Sequence, residues 1–100
     1  MPFFSILVPS YNRPEYILDL INSILEQDFN DYEIIIADDC SPKQQIIKNY
    51  LNSLVDNRIK VYFHDVNLGE VANKNFLISK ASGEYNILIG DDDTFCKRSL

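Results

Sequence analysis

Glycine is scarce in this sequence, and its scarcity excludes two common phosphate-binding loops. Only three glycines occur, at Gly69, Gly83 and Gly90. Neither the G-x-G-x-x-G dinucleotide loop nor the P-loop can be written with glycines so far apart. A ligand that carries phosphate would therefore need another anchor.

Cysteines, basic residues and long apolar runs are also few. Cys40 and Cys96 form no close pair and no secretory signal opens the chain, which favours a reducing compartment over a disulfide framework. The net charge of −6 disfavours nucleic acid or an anionic membrane surface as a partner. No apolar stretch approaches the roughly 20 residues of a membrane span. We expect the protein to be located in the cytoplasm, or at the cytoplasmic face of a membrane if the chain is part of a longer protein.

The residues that are present suit one small α/β domain. Among 100 residues, 46% are apolar, which is ample for a core. Apolar runs begin near residues 4, 33, 59 and 85, and amphipathic helical patterns separate them. This alternation is typical of βαβ units and predicts parallel strands. The first strand is expected to end at Pro9 and the first helix to run from Pro14 to about Gln27, and Ile46 is assigned to the apolar stripe of the second helix.

The last apolar run, from Tyr85 to Gly90, leads directly into Asp91, Asp92 and Asp93. Its unbroken apolar centre predicts a strand buried on both faces. In open α/β sheets, ligands bind outside the carboxyl ends of the strands, so these carboxylates would stand where a ligand is held. Mg²⁺ or Mn²⁺ would relieve their mutual repulsion. A solvated acidic loop or a helix N-cap explains the same charges.

Two other enzyme classes place carboxylates at strand ends, and both fit poorly. A D-x-D-x-T phosphatase signature would require threonine two positions after Asp93, where this chain has Phe95. A receiver domain carries its acidic pair after the first strand, where this chain has Pro9-Ser-Tyr11.

Four blocks in order carry a more specific resemblance. They are Ser5-Ile-Leu-Val-Pro-Ser-Tyr-Asn-Arg13, Glu33-Ile-Ile-Ile-Ala-Asp-Asp-Cys-Ser41, Asn67-Leu-Gly69 with Asn73-Lys-Asn75, and Gly83-Glu-Tyr85 leading to the three aspartates. Together they resemble the nucleotide-sugar-binding half of family-2 glycosyltransferases with the GT-A fold. The resemblance covers nearly the whole chain. It implies a Rossmann-like, three-layer α/β/α domain with a mainly parallel sheet in the strand order 3-2-1-4.

The resemblance also implies roles for single residues in binding a nucleoside diphosphate sugar. Pro9 and Tyr11 would line the base pocket, where stacking on an aromatic ring contributes roughly 1 to 3 kcal/mol. Asp39, with Asp38 beside it, would accept the N3 proton of uracil. The alternative for Tyr11 is ordinary core packing, and the alternative for the acidic pair is capping of the next helix.

The diphosphate and the metal are implied to meet other residues. Lys74 would face the diphosphate as a point charge, and Arg13 would assist it or remain solvated. Asp91 matches the acid at the ribose and Asp93 the acid at the metal, but three consecutive acids leave the register open, so Asp92 can take either role.

Cys40 departs from the family pattern, because it stands where the D-D-G-S motif has glycine. This departure puts the local turn and the base selectivity in question. His64, the only histidine, follows the third apolar run and fits a packing role better than a catalytic one.

The implied activity is transfer of a sugar from a nucleoside diphosphate, UDP in the first instance, to an acceptor hydroxyl, with Mg²⁺ or Mn²⁺ at the leaving group. No catalytic base is assigned, and we expect it beyond Leu100, so that residues 1–100 form the donor-binding part of a longer glycosyltransferase domain. A non-catalytic nucleotide-binding or scaffold domain of the same fold is the main alternative. A nucleotidyltransferase fits less well, since it would open with a glycine-rich loop. Association of copies through an exposed sheet edge is also expected.

Overall fold

The computed structural model describes residues 2–11, 14–28, 30–42, 44–53 and 56–89. In chain order its elements are β1 (Phe4–Ser10), α1 (Pro14–Leu25), β2 (Tyr32–Asp38), α2 (Gln44–Ser53), β3 (Ile59–Phe63), α3 (Glu70–Lys80) and β4 (Tyr85–Leu88). All neighbouring strands pair in parallel, in the order β3-β2-β1-β4. The predicted sheet and its strand order are confirmed.

Helices cover both faces of the sheet, as a three-layer fold requires. The stripe of α1 is buried against one face, with each member at most 1% exposed: Ile17, Leu20, Ile21 and Ile24. Helix α2 contacts α1. On the other face, Leu77 of α3 packs against Leu7, Ile35 and Ala37. Strand β2 pairs on both sides and is buried along its whole length, which explains its unbroken apolar sequence.

Strand β1 does not end at its proline, so that prediction is wrong by one residue. Successive residues of a parallel strand direct their peptide groups to alternate neighbours. The Ile89 N–H donates to the Leu7 carbonyl at 2.9 Å, and the Asp39 N–H donates to the Ser10 carbonyl at 2.8 Å. Pro9 therefore faces the β4 side, beyond the last described pair of β1 and β4, and its missing N–H removes no described bond.

Strand β4 is less buried than its apolar sequence predicts. Tyr85 is 57% and Leu88 46% exposed, whereas Ile89 is 8% exposed. Leu88 pairs with Leu7 and therefore lies on the face of the sheet where α3 is found. Because α3 packs over β1 and β2, Leu88 on β4 lies beside the covered area. The prediction that both faces of this strand are buried is wrong for the described residues, because β4 is an edge strand among them.

Two details of the helices also differ from expectation. Helix α1 ends at Leu25, two residues before the predicted Gln27. Ile46 does not belong to a buried stripe of α2, since it is 52% exposed. A helix that packs through a narrow contact leaves part of its apolar surface in water, and sequence periodicity alone does not show how wide that contact is.

A buried carboxylate joins the amino ends of the strands. Glu33 Oε2 accepts hydrogen bonds from Ser5 Oγ at 2.6 Å and from the amide and hydroxyl of Ser82 at 2.7 and 2.8 Å, and Oε1 accepts one from Lys60 Nζ at 2.8 Å. The Gly83 N–H donates to Ser5 Oγ at 2.7 Å. Burial raises the pKa of the Glu33 carboxyl, but these hydrogen bonds outweigh burial and lower the pKa to about 2. The network ties the turn before β4 to β1 and β2.

Candidate functional site

The carboxyl ends of β1 and β2 lie side by side and bring two predicted site residues together. Ser10 pairs with Asp38, and the Asp39 N–H donates to the Ser10 carbonyl at 2.8 Å. Tyr11 and Asp39 therefore follow neighbouring strands at the same level. Tyr11 is 49% exposed and Asp39 only 5%. Pro9, one step earlier on β1, is half-buried.

Asp38 serves the fold with both of its oxygens. Its side chain is fully buried at the end of β2. Oδ1 accepts a hydrogen bond from Ser10 Oγ at 3.3 Å, and Oδ2 accepts one from the Ser41 N–H at 2.9 Å. The carboxylate thus closes the turn after β2, which supports the structural explanation of the acidic pair for Asp38.

Asp39 fastens the loop before α3 to the end of β2. Its Oδ1 accepts the Leu68 N–H at 2.6 Å and its Oδ2 accepts the Gly69 N–H at 2.9 Å. Asn67 Nδ2 donates to the Asp39 carbonyl at 3.2 Å. An ionised carboxylate offers about four acceptor positions, so these two bonds leave capacity for a ligand N–H. Asp39 is consequently a loop anchor whose carboxylate oxygens have acceptor positions beyond these two bonds.

Cys40 adopts the conformation that glycine would adopt most easily. Its φ is 61°, in the left-handed region, and its Sγ donates to the Asp65 carbonyl at 3.3 Å. The glycine of the family motif is therefore explained by the backbone at this turn, and this chain forms the turn with a cysteine instead.

The start of α3 is held by its own backbone geometry and by a buried amide. Gly69 has a φ of 90°, as its position in the loop predicts. Asn73, in the first turns of α3, is 2% exposed and donates from Nδ2 to the Ala37 carbonyl at 3.0 Å. His64 Nε2 lies 2.8 Å from Asn73 Oδ1, and the His64 ring meets the Phe76 ring edge-on at a centroid distance of 4.6 Å. These contacts agree with a packing role for His64.

Lys74 follows Asn73 and forms an exposed ion pair. Its Nζ lies 3.0 Å from Glu70 Oε1, one turn earlier, so the side chain extends toward the amino end of α3. That end adjoins the loop held by Asp39. Exposed ion pairs contribute about 0 to 1 kcal/mol, so a ligand phosphate can replace Glu70 at little cost.

The remaining predicted site residues, Arg13, Asp91, Asp92 and Asp93, lie outside the described residues. Among the residues that are described, no group of three or more His, Cys, Asp or Glu could hold a metal ion. Asp38 and Asp39 each accept two hydrogen bonds from groups of the fold. The described portion also contains no helix long and apolar enough to cross a membrane.

Sequence reasoning overlooked how Asn73 is used. Asn73 and Leu77 are the buried residues of α3, and they are four positions apart. A polar residue at helical spacing from a buried apolar one lies on the covered stripe, and a buried amide requires partners. This spacing was the available signal.

Known proteins resemble this chain along almost all of it. A β-1,3-glucosyltransferase of Campylobacter jejuni, named for GalNAc(5)-diNAcBac-PP-undecaprenol, is 38% identical over 104 residues, which cover 100% of this chain and 33% of the relative. Staphylococcus aureus TarS 1-349, solved in complex with UDP-GlcNAc, aligns with a TM-score of 0.82 and 36% identity over 99% of this chain and 29% of that one.

A third likeness concerns the fold alone. The mannosyltransferase PcManGT from Pyrobaculum calidifontis, solved with GDP-Man and Mn²⁺, aligns with a TM-score of 0.84 at 20% identity, over 96% of this chain and 29% of that one. The chain thus spans about a third of the length of each of these three chains. The family model described as glycosyl transferase family 2 matches residues 5–100, so the chain belongs to that family.

Proposed function

We propose that residues 1–100 form the donor-binding part of a glycosyltransferase that takes a sugar from a nucleoside diphosphate, with UDP as the nucleotide, and transfers it to an acceptor hydroxyl. The observation that carries this proposal is the placement of Tyr11 and Asp39 at the same level on neighbouring strand ends. The family membership and the UDP-GlcNAc complex of the similar TarS support it.

The base is proposed to lie between the exposed ring of Tyr11 and the carboxylate of Asp39, with the backbone at Pro9 lining the pocket. Stacking on an aromatic ring contributes roughly 1 to 3 kcal/mol and is tolerant of base identity. The carboxylate accepts hydrogen bonds and cannot donate, so it selects a base that presents an N–H, as uracil does at N3. Asp38 would contribute by holding the turn that carries Asp39, since both of its oxygens face donors of the fold.

The diphosphate is proposed to meet Lys74, with Arg13 as a second cation. Lys74 reaches toward the loop that Asp39 holds, so base and phosphate contacts would be contiguous. Asp91 and Asp92 would lie at the ribose, and Asp93, with its acidic neighbours, would hold Mg²⁺ or Mn²⁺. That ion would neutralise charge on the leaving diphosphate. No described residue is proposed as the base that deprotonates the acceptor.

Isothermal titration calorimetry of the full-length protein tests the proposal. UDP should bind in the presence of Mn²⁺ and bind more weakly after addition of a chelator. Asp39→Asn should weaken UDP more than pyrophosphate, because only UDP carries the base. Asn67→Ala is the matched control, since it removes the contact with the Asp39 carbonyl and leaves the carboxylate in place.

Three results would separate the alternatives. The absence of UDP binding with Mn²⁺ would contradict the nucleotide site itself. Equal UDP affinity with and without chelator would contradict the proposed role of the metal ion in UDP binding. UDP binding by a full-length protein that transfers no sugar would favour the non-catalytic binding domain.

A further inference from the structure

We infer that Asn73 is a positioning residue that fixes α3 against the end of β2 and so places the Lys74 ammonium at the diphosphate. This inference rests on the proposed function, because it concerns how the donor site is held. The family resemblance implies no role in donor binding for Asn73 or for its partner His64.

The contacts of Asn73 are buried and directional. Its amide nitrogen donates to the Ala37 carbonyl at 3.0 Å, and Ala37 directly precedes the Asp38–Asp39 pair. An amide oxygen only accepts, so the 2.8 Å contact requires His64 Nε2 to donate. Asn73 therefore joins the end of β2 to the residue that follows β3.

His64 is itself held by neighbouring elements. The backbone N–H of His64 donates to the Asp38 carbonyl at 3.0 Å, and the backbone carbonyl of His64 accepts from Gln44 Nε2 at 3.1 Å. Its ring packs edge-on against Phe76 of α3. The donor to Asn73 is thus fixed by β2 and by α2.

Apolar packing alone would not set the position of α3 so closely. Its buried residues are Asn73 and Leu77, and its N-cap, Gly69, has no side-chain hydrogen bond. Hydrophobic contacts are non-directional, whereas an amide bonded at both ends fixes rotation and translation of the helix. The bonds from Asp39 to Leu68 and Gly69 fix the preceding loop. Lys74, next to Asn73, is consequently placed by the end of β2.

A double-mutant cycle in the full-length protein tests the inference with two ligands, UDP and UMP. Lys74→Met should weaken UDP about tenfold and UMP less than about twofold, since a hydrogen bond to a charged group contributes about 1.5 to 3 kcal/mol. Asn73→Ala should weaken UDP by roughly threefold to fivefold with UMP almost unchanged, because it displaces this contact without removing it. In the Lys74→Met background, Asn73→Ala should leave the ratio of the two affinities unchanged.

Further variants separate positioning from general loss of structure. Ser79→Ala removes a side-chain bond to the Phe76 carbonyl on the exposed part of α3 and should leave the UDP to UMP ratio as it was. If Asn73→Ala does not fold, His64→Leu removes the second contact of Asn73 and should lower UDP affinity in the same direction. His64→Gln, which can still donate, should restore it.

Several outcomes would overturn the inference. An equal loss of UDP and UMP affinity in Asn73→Ala, or an effect that persists in the Lys74→Met background, would show that Asn73 does not act through Lys74. An unchanged UDP affinity in Lys74→Met would show that Lys74 does not contact the diphosphate, so that Asn73 would have no such contact to position. A wild-type protein that binds neither nucleotide would refute the proposed function, whereas UDP binding that is indifferent to Asn73 would refute this inference alone.

Discussion

Cys40 occupies a left-handed backbone conformation that a residue with a Cβ seldom adopts. Its φ of 61° costs a residue with a Cβ roughly 1 to 2 kcal/mol relative to ordinary backbone. The bond from its Sγ to the Asp65 carbonyl offsets part of this cost. The turn after β2 is therefore set by the surrounding contacts of Asp38 and Asp39, and the residue at position 40 adapts to it.

We expect the residue at position 40 to control stability through its backbone preference. Cys40→Val should lower the free energy of unfolding by about 1 to 2 kcal/mol, because a β-branched side chain is strained at positive φ. Cys40→Gly should change it by less than about 1 kcal/mol, since relief of strain is balanced by greater freedom of the unfolded chain. Urea unfolding measures both. Equal stability of the two variants would show that the backbone is not strained here.

The ion pair of Lys74 predicts a trade between stability and affinity. Glu70→Gln should tighten UDP by about twofold, because exposed pairs contribute less than about 1 kcal/mol and the lysine no longer has to leave its partner. It should also lower stability by about 0.5 kcal/mol, since Glu70 lies in the first turn of α3, where acidic side chains are favourable. Calorimetry measures the change in UDP affinity, and thermal unfolding measures the change in stability. Weaker UDP binding would indicate that Glu70 holds Lys74 in its productive position.

At the scale of elements, the turn before β4 is packed against β1 with almost no space. A Cβ on Gly83 would lie 2.7 Å from both the Ser5 nitrogen and Oγ. Gly83→Ala should therefore destabilise the protein by about 1 to 3 kcal/mol and disturb the bond between its N–H and Ser5 Oγ.

Gly69→Ala is the matched comparison, because a Cβ there meets nothing within 4 Å and only the φ of 90° opposes it. Its cost should be about 1 to 3 kcal/mol, because Gly69 combines its φ of 90° with a ψ of 161°, a region that residues with a Cβ rarely occupy. Chemical unfolding gives both stabilities, and amide hydrogen exchange locates the effect. Exchange in β4 should rise in Gly83→Ala and remain unchanged in Gly69→Ala, and the reverse pattern would contradict this account.

At the scale of the whole molecule, Glu33 links three strands and makes stability depend on pH. Because its pKa falls from 4.5 to about 2 on folding, its contribution is complete above about pH 4.5 and is lost as the pH approaches 2. A shift of this size corresponds to about 3 kcal/mol. Glu33→Gln should lose most of this contribution at pH 7 and show a smaller decrease in stability between pH 4.5 and 2.

Lys60→Met is a partial comparison, because it removes one of the hydrogen bonds that lower the Glu33 pKa and leaves those from Ser5 and Ser82. It should therefore keep part of the decrease in stability between pH 4.5 and 2. Urea unfolding at a series of pH values decides the matter. A slope that is the same in wild type and Glu33→Gln would place the acid sensitivity at other carboxylates.

The open edge at β4 predicts association of the 100-residue chain on its own. Among the described residues β4 pairs only with β1, and its exposed apolar side chains carry no charge that would prevent pairing with another copy. Leu88→Lys should reduce association in a sedimentation concentration series. Ile46→Lys, which changes an equally exposed apolar residue on α2, should not. A monomer at high micromolar concentration would contradict the prediction.

The helices and strands, their order along the chain and the parallel sheet follow from sequence patterns alone. Continuous apolar runs and a helical period of about 3.6 residues reflect which side chains face a core, and this local property holds in the structure for β2 and for the buried stripe of α1. The four motif blocks likewise identified the family. The placement of Tyr11 and Asp39 followed from the parallel sheet, in which neighbouring carboxyl ends meet.

The partners of the polar side chains and the burial of individual apolar side chains become apparent only in the folded protein. Asp38 and Asp39 are identical in sequence type, yet one closes a turn and the other holds a loop 29 and 30 residues away. The Glu33 network and the Asn73 tie join residues that are distant in the chain, and the exposure of Leu88 depends on the reach of α3. Such contacts are non-local, and a pattern read along one strand or helix carries information about its own face but not about what lies opposite.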